Sequence, residues 1–366
     1  MKNPSIPQLY GSLYQLLVQQ IPDDCDTRLS NLVWLMVGIY GSRSVQLNLL
    51  VRKLPLRAKK LSLVTRMERW LQNRKVRVAQ WYTPFAQTLL AGAGSGGQIH
   101  LVIDKSQVSG THQMMMVAVA YRRRTLPIAW TWVKGTRGSS RVRHQIALLK
   151  RVRTLLPPGV RVSLVGDTEF GNPLLIEYLE FWGWDYVLRE ASATLIWAKN
   201  APDWQRLDSL PLDDQTYIWQ GNVVLTKASA YPTHIVACHQ RGEKRPWLLA
   251  TNLLAPQPAL KMYRRRMWIE QMFGDMKGHG FDLENSHLQH FQRLSRLTLA
   301  VSLLYIWLVA LGEHLIQIGQ THYVDRTDRQ DLSIFRLGWD FLERLIALSD
   351  PIPKLLFPNF CSVSGR

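Results

Sequence analysis

Along the first part of the chain, apolar residues recur at helical spacing, as in Leu61, Val64, Met67 and Leu71, which predicts amphipathic helices. The AGAGSGG stretch (residues 91–97) then reads as a linker, and the period changes after it. IHLVID (99–104), MMMVAVAY (114–121) and LPIAWTWV (126–133) are short apolar runs divided by polar turns, the pattern of strands. A helix is expected near residues 140–156, a buried strand in VSLVGD (162–167), a second helix near 173–182 and a strand in DYVLR (185–189). Three strands, helix, strand, helix, strand describe an α/β layer around a mixed sheet. TLIWA, YIWQGNVVLT, THIVACHQ and RPWLLATN, between residues 194 and 252, predict a β-rich insertion. Helix returns near residues 261–277, 291–318 and 332–348, and no repeat of fixed period is visible. The expected division is a helical region at 1–95, an α/β core at 96–190 and 253–318 interrupted by the insertion at 191–252, and a helical C-terminal region at 319–366.

Composition narrows the partners. The chain carries 45 Lys and Arg against 27 Asp and Glu, a formal charge of +18. Apolar residues make up 46 %, enough for a large core. The three cysteines, Cys25, Cys238 and Cys361, lie far apart, which argues against a disulfide scaffold or a thiolate zinc site and suits a reducing compartment. The N-terminus shows no signal-peptide pattern. The longest apolar stretch, residues 297–311, contains Thr298 and Ser302 and falls short of the ~18–20 residues of a membrane span, so a buried core helix is expected. The expectation is a soluble, intracellular cationic protein whose large partner is a polyanion. Between Arg52 and Arg77 ten basic residues face a single acid, Glu68. Lys59 and Lys60 lie within that run. It reads either as a solvated helical face or as a phosphate-gripping surface, and the overall charge favours the second.

Two acidic residues end apolar strands: Asp104 in LVIDKS and Asp167 in LVGDTEFG. A carboxylate there sits at the carboxyl edge of the sheet, where α/β folds assemble sites, although a single one is commonly a cap or turn former. Glu169 reads as a turn or supporting residue. In KMYRRRMWIEQMFGDMKGHGF, residues Tyr263, Arg266, Glu270 and Lys277 fall within about 60° of one another on a continuous helix, at about 100° per residue. Trp268 falls on the opposite side, where packing is expected. An active site on DNA uses such a stripe, with a carboxylate for metal and cations and a phenol for phosphates. Three carboxylates from two strands and a helix suit a two-metal phosphoryl-transfer site, since hard divalent cations take oxygen ligands. His234, Cys238 and His239 match no zinc spacing. His279, His287 and His290 follow the helix and are candidates to touch DNA.

The arrangement resembles the DDE transposases with an RNase H-like fold, and within them the insertion-sequence-four family. That family carries Y-x(2)-R-x(3)-E-x(6)-K around its third acidic residue, matched by Tyr263, Arg266, Glu270 and Lys277. Asp104-Lys105-Ser106 and Asp167 match its first and second acidic positions, and the likeness covers roughly residues 99–311. The resemblance implies an RNase H-like mixed sheet with flanking helices, a β-strand insertion and helical terminal regions. It implies that Asp104, Asp167 and Glu270 bind two Mg²⁺ or Mn²⁺ and that water attack frees a transposon 3′-OH. It also implies strand transfer through hairpin ends, and a homodimer that pairs the terminal inverted repeats of double-stranded DNA in a prokaryotic cytoplasm. By the same resemblance, Trp247 in WLLAT would stack on a flipped base, with a core role as its alternative. The rival readings are a DNA-binding regulator of transposase descent and a structure-selective nuclease on the same fold.

Overall fold

In the computed structural model, residues 5–21, 25–135, 140–199, 201–212, 217–240, 242–328 and 331–360 are described. The start of the chain is helical: α1 (Ser5–Val18), α2 (Asp26–Ser42), the single turn α3 (Leu47–Leu50), α4 (Lys60–Gln72) and α5 (Val78–Ala93). Helix α4 buries Leu63, Val64, Met67, Trp70 and Leu71, so its cations are left on the outer face. The Gly-rich stretch is not the open linker its composition suggests. Helix α5 runs through Ala93, Gly94–Gly96 make a 3-10 turn, and Gly97 ends it at φ 79°. A Cβ on Gly94 would sit 3.1 Å from Val160 Cγ1 and one on Gly92 would lie 2.6 Å from the Phe360 ring, so these two glycines allow close docking rather than slack.

The core follows as β1 (Gln98–Ser109), β2 (His112–Tyr121), β3 (Arg124–Lys134), α6 (Val142–Arg153), β4 (Arg161–Gly166), α7 (Pro173–Phe181) and β5 (Asp185–Arg189). Their order is β3-β2-β1-β4-β5, with β2 antiparallel to its neighbours and β1, β4 and β5 parallel. This is the RNase H-like mixed sheet. The insertion supplies β6 (Leu195–Trp197), β7 (Gln205–Arg206), β8 (Tyr217–Leu225), β9 (Tyr231–Cys238) and β10 (Trp247–Thr251). It builds no separate layer: β10 pairs antiparallel with β5, so all ten strands form one sheet. Every residue of β10 is buried, as a strand covered on both faces must be.

The expected helix over residues 261–277 is broken. It consists of α8 (Pro256–Tyr263), a 3-10 turn over Arg264–Arg266, and α9 (Met267–Met276). After it come α10 (Phe291–Gln317) and α11 (Ile334–Leu348). Helix α10 is long and apolar enough to cross a membrane by length and composition, yet 94 % of its most apolar window is buried inside the fold. Trp130 and Trp132 of β3 donate their indole N–H groups to Ser295 and Thr298 of α10 at 3.1 and 3.3 Å.

Helices α10 and α11 cross at backbone contact. A Cβ on Gly312 would overlap the Ile334 carbonyl oxygen, and one on Gly338 the Leu308 carbonyl oxygen. Only glycine fits where two helix backbones approach this closely. Gly338→Ala is expected to cost about 1–3 kcal/mol by forcing the helices apart. Urea unfolding checks it, with the midpoint falling and the slope unchanged.

Candidate active site

The sheet register sets the first two carboxylates side by side. Ile103 of β1 is paired with Gly166 of β4, so the next residues, Asp104 and Asp167, leave the pair together. Position 166 admits only glycine, because a Cβ there would lie 2.9 Å from the Phe170 Cβ and 3.1 Å from Ile103 Cγ2. The chain can therefore fold tightly into the turn Thr168–Phe170 and hold Asp167 at the strand end. The third carboxylate, Glu270, comes from the first turn of α9.

All three meet one guanidinium. Arg266 Nη2 lies 3.4 Å from Asp104 Oδ2 and 3.3 Å from Asp167 Oδ2, and Nη1 lies 2.7 Å from Glu270 Oε1. The side chains of Arg266 and Asp104 are 12 % and 11 % exposed, whereas that of Glu270 is 41 % exposed, so the site is closed at its base and open at its mouth. Burial pushes the Asp104 carboxyl up to about 7; Arg266 and the Lys105 backbone N–H, donating at 2.7 Å, pull the other way, and Asp167 and Glu270 push it further up. Burial works against the charge of Arg266, but the surrounding carboxylates outweigh it and hold the guanidinium above its ordinary value.

Next to Asp104, Lys105 pairs with Glu169 at 2.7 Å, and both side chains are largely buried. Glu169 also accepts the Ser140 N–H, tying β1, the turn after β4 and the approach to α6 together. The pair escapes sequence reasoning because each residue looks like an ordinary neighbour of an acidic position.

Other expected site residues lie differently. The 3-10 turn interrupts the α-helical bonding but keeps helical dihedrals, so Tyr263, Arg266 and Glu270 stay within electrostatic reach of one another, and only Lys277 leaves the stripe. Tyr263 is 2 % exposed and Trp247 5 %, and their rings pack edge-on with centroids 4.9 Å apart. Trp247 is thus a core residue that holds β10 against α8, and a ring so buried has no face to offer a base. Burial also pushes the Tyr263 phenol above its ordinary value. Lys277 lies just past α9, where its Nζ donates to the Gln107 carbonyl of β1 at 2.6 Å and pairs with Glu284 at 2.9 Å. It is therefore three residues along β1 from Asp104. Lys59 and Lys60 are exposed at the start of α4, whose first turn holds no acid. Cations at a helix N-terminus oppose the macrodipole at about 0.3–1 kcal/mol each, so helix stability does not explain them. His234 accepts the Asn222 N–H at 2.9 Å.

The donor set suits a hard divalent cation: three carboxylates, no sulfur, and a cationic group already drawn among them. Their chemistry fits Mg²⁺ or Mn²⁺. Among the described residues no three His, Cys, Asp or Glu side chains group closely enough to hold a metal ion.

An RNase H-like sheet in which the middle of β1 and the end of β4 deliver two carboxylates beneath a helix-borne third defines a nucleic-acid-processing class of enzyme. The family described as "Transposase DDE domain" matches residues 95–307, more than half of the chain, and the protein belongs to that family of DDE transposases. Among curated proteins none matches. Among solved structures, the chain is similar to a cryo-EM structure of piggyBac transposase synaptic complex with hairpin DNA. The two share 10 % sequence identity at a TM-score of 0.43, over 94 % of this chain and 77 % of that one.

Proposed function

We propose that this DDE transposase cuts DNA at transposon ends and joins them to target DNA through a site made of Asp104, Asp167 and Glu270. The observation that carries the reading is the meeting of three carboxylates, from β1, the end of β4 and α9, on the single guanidinium of Arg266. Three acids held on one buried cation are arranged for positive charge at that point, and a structural ion pair needs only one of them. Two Mg²⁺ or Mn²⁺ ions bound by these residues would supply Lewis-acid activation of the attacking water and stabilisation of the leaving 3′ oxygen. Asp104 must give up its proton to serve as a ligand. Arg266 must release the carboxylates, and its guanidinium is then free to hold a phosphate beside the scissile one. Lys277, anchored on β1, orients a neighbouring phosphate from the other side.

The match of Tyr263, Arg266, Glu270 and Lys277 supports placement in the insertion-sequence-four group. It supports a cut-and-paste course through hairpin ends, carried out by a pair of protomers on paired ends in a prokaryotic cytoplasm, at the nucleoid. The helical region before the sheet, with Lys59 and Lys60, is assigned to binding the DNA flank. The test separates binding from chemistry. Glu270→Gln should bind end-bearing duplex DNA as the wild type does and fail to nick it in Mg²⁺, while Lys277→Ala should keep metal dependence and slow single-turnover cleavage by about 100-fold through misplacement. Normal cleavage by Glu270→Gln would end the assignment. Equal loss of binding in both variants would make the segment a structural seam.

A further inference from the structure

A cavity of about 740 Å³ lies away from the carboxylates, at the N-terminus of α10. It is lined by Arg74 after α4, Lys134 at the end of β3, and Arg293 and Arg296 of α10, and no acidic residue lines it. Arg74 and Lys134 are exposed, and none of Arg74, Lys134 and Arg293 has an acidic partner among the described residues. Arg296 is only 5 % exposed and is built into the wall. Its Nε and Nη1 donate to the carbonyls of Val76 and Leu71 at 3.0 and 2.9 Å, while Nη2 makes no hydrogen bond among the described residues. Burial, and then the nearby Arg74, lower its pKa, as expected for cations gathered without a counter-charge. His112 on the β1–β2 hairpin completes the floor by bonding the Gln289 carbonyl at 2.9 Å. Arg296 ties the wall together through the Val76 and Leu71 carbonyls, but gathering Arg74, Lys134 and Arg293 beside it, at the positive end of a 27-residue helix, opposes folding.

We propose that this cavity is a phosphate clamp for the backbone of the duplex whose cleaved bond lies at Asp104. The inference rests on the functional reading above and extends it to a second contact surface. The sheet fixes the distance. From Asp104 to the end of β1 at Ser109 is five residues, about 17 Å at 3.3 Å per residue. Duplex DNA advances about 3.4 Å per base pair, so with the duplex laid along β1 the clamp grips phosphates about five base pairs from the cut. Lys277, bonded to Gln107, lies between the two points. The basic run of α4 then continues the same cationic path, because Arg74 belongs both to that run and to the cavity wall.

The test uses the full chain and a duplex of arbitrary sequence, with the salt dependence of binding as the readout. Arg74→Ala combined with Arg293→Ala should make the plot of log K against log salt shallower by about 1.8, or 0.9 for each phosphate no longer neutralised. Arg74→Lys with Arg293→Lys should restore most of the slope. Arg161→Ala, which removes an exposed cation paired with Asp185 at the foot of β4, should leave it unchanged. On end-bearing duplex DNA, where the cut is defined, phosphate ethylation about five base pairs from it should interfere with wild-type binding and not with that of the double alanine variant. An unchanged slope and an unchanged ethylation pattern in a folded double alanine variant overturn the clamp. If wild-type protein shows the clamp in these assays yet never cleaves DNA in Mg²⁺, the clamp stands and the transposition chemistry falls. If it cleaves and the slope ignores both arginines, the reverse holds.

Discussion

Arg266→Ala will destabilise the metal-free protein by about 3–5 kcal/mol, the cost of stripping the counter-charge from a buried ionic group. The residue is held at 2.7–3.4 Å from three carboxylates and is, among the described residues, the one cation they share. Its removal leaves Asp104, 8 % exposed, beside two like charges. The loss will be largest above about pH 7, where Asp104 is charged, and smaller near pH 5, where the buried carboxyl takes up a proton. Mg²⁺ will change the comparison. In the wild type a cation must displace the guanidinium, whereas in Arg266→Ala it enters a site already cleared. Saturating Mg²⁺ will therefore raise the melting temperature of the variant by more than that of the wild type, because ligand binding to the folded state adds stability by mass action. Thermal unfolding at the two pH values, with and without Mg²⁺, measures all four corners. A variant as stable as the wild type at alkaline pH, and indifferent to Mg²⁺, would show that the carboxylates need no positive charge.

Both acids were legible because each closes a run of buried residues; Asp167 does follow the end of β4, whereas β1 continues past Asp104 to Ser109, because its pairing with β2 outlasts its pairing with β4. Their pairing was not, since register depends on Gly166 fitting against Phe170 and Ile103, contacts that only the assembled sheet contains. The break at Arg264–Arg266 left no trace in the sequence. Three consecutive arginines are good helix formers, and i→i+3 and i→i+4 bonding share the same residue preferences. Trp247 illustrates a different limit. A tryptophan in an apolar strand has the same local signature whether it packs on Tyr263 or faces a ligand, and its 5 % exposure is a property of the neighbours. The Gly-rich stretch at 91–97 misled for a related reason: small residues mark both slack chain and tight docking. The cationic cavity lay beyond any local reading, because Arg74 and Arg296 are more than two hundred positions apart.

Asp104→Asn should move stability and activity in opposite directions. The wild-type carboxyl is pushed up to about 7 in the fold, while an unfolded aspartate titrates near 3.9. The folded chain therefore holds this proton more tightly than the unfolded one. Its favourable contribution is complete at low pH, is lost as the pH climbs from about 4 to about 7, and stays lost above that. Asparagine carries no charge at any pH, keeps nearly the same shape and still presents an oxygen to Arg266. In metal-free protein the variant will thus be more stable than the wild type near pH 8, on the order of a few kcal/mol at about 1.4 kcal/mol for each unit of displacement, and the two will converge near pH 4. Mg²⁺ will stabilise the wild type and leave the variant almost unmoved, since an amide oxygen is a poor substitute for a charged ligand. Cleavage of end-bearing DNA will fall by more than about 100-fold, with duplex binding retained. Denaturant unfolding across this pH range, paired with single-turnover cleavage, reads both arms. If the variant is the less stable of the two at alkaline pH without metal, the burial of Asp104 is not what opposes its charge. If it cleaves normally, Asp104 is no ligand.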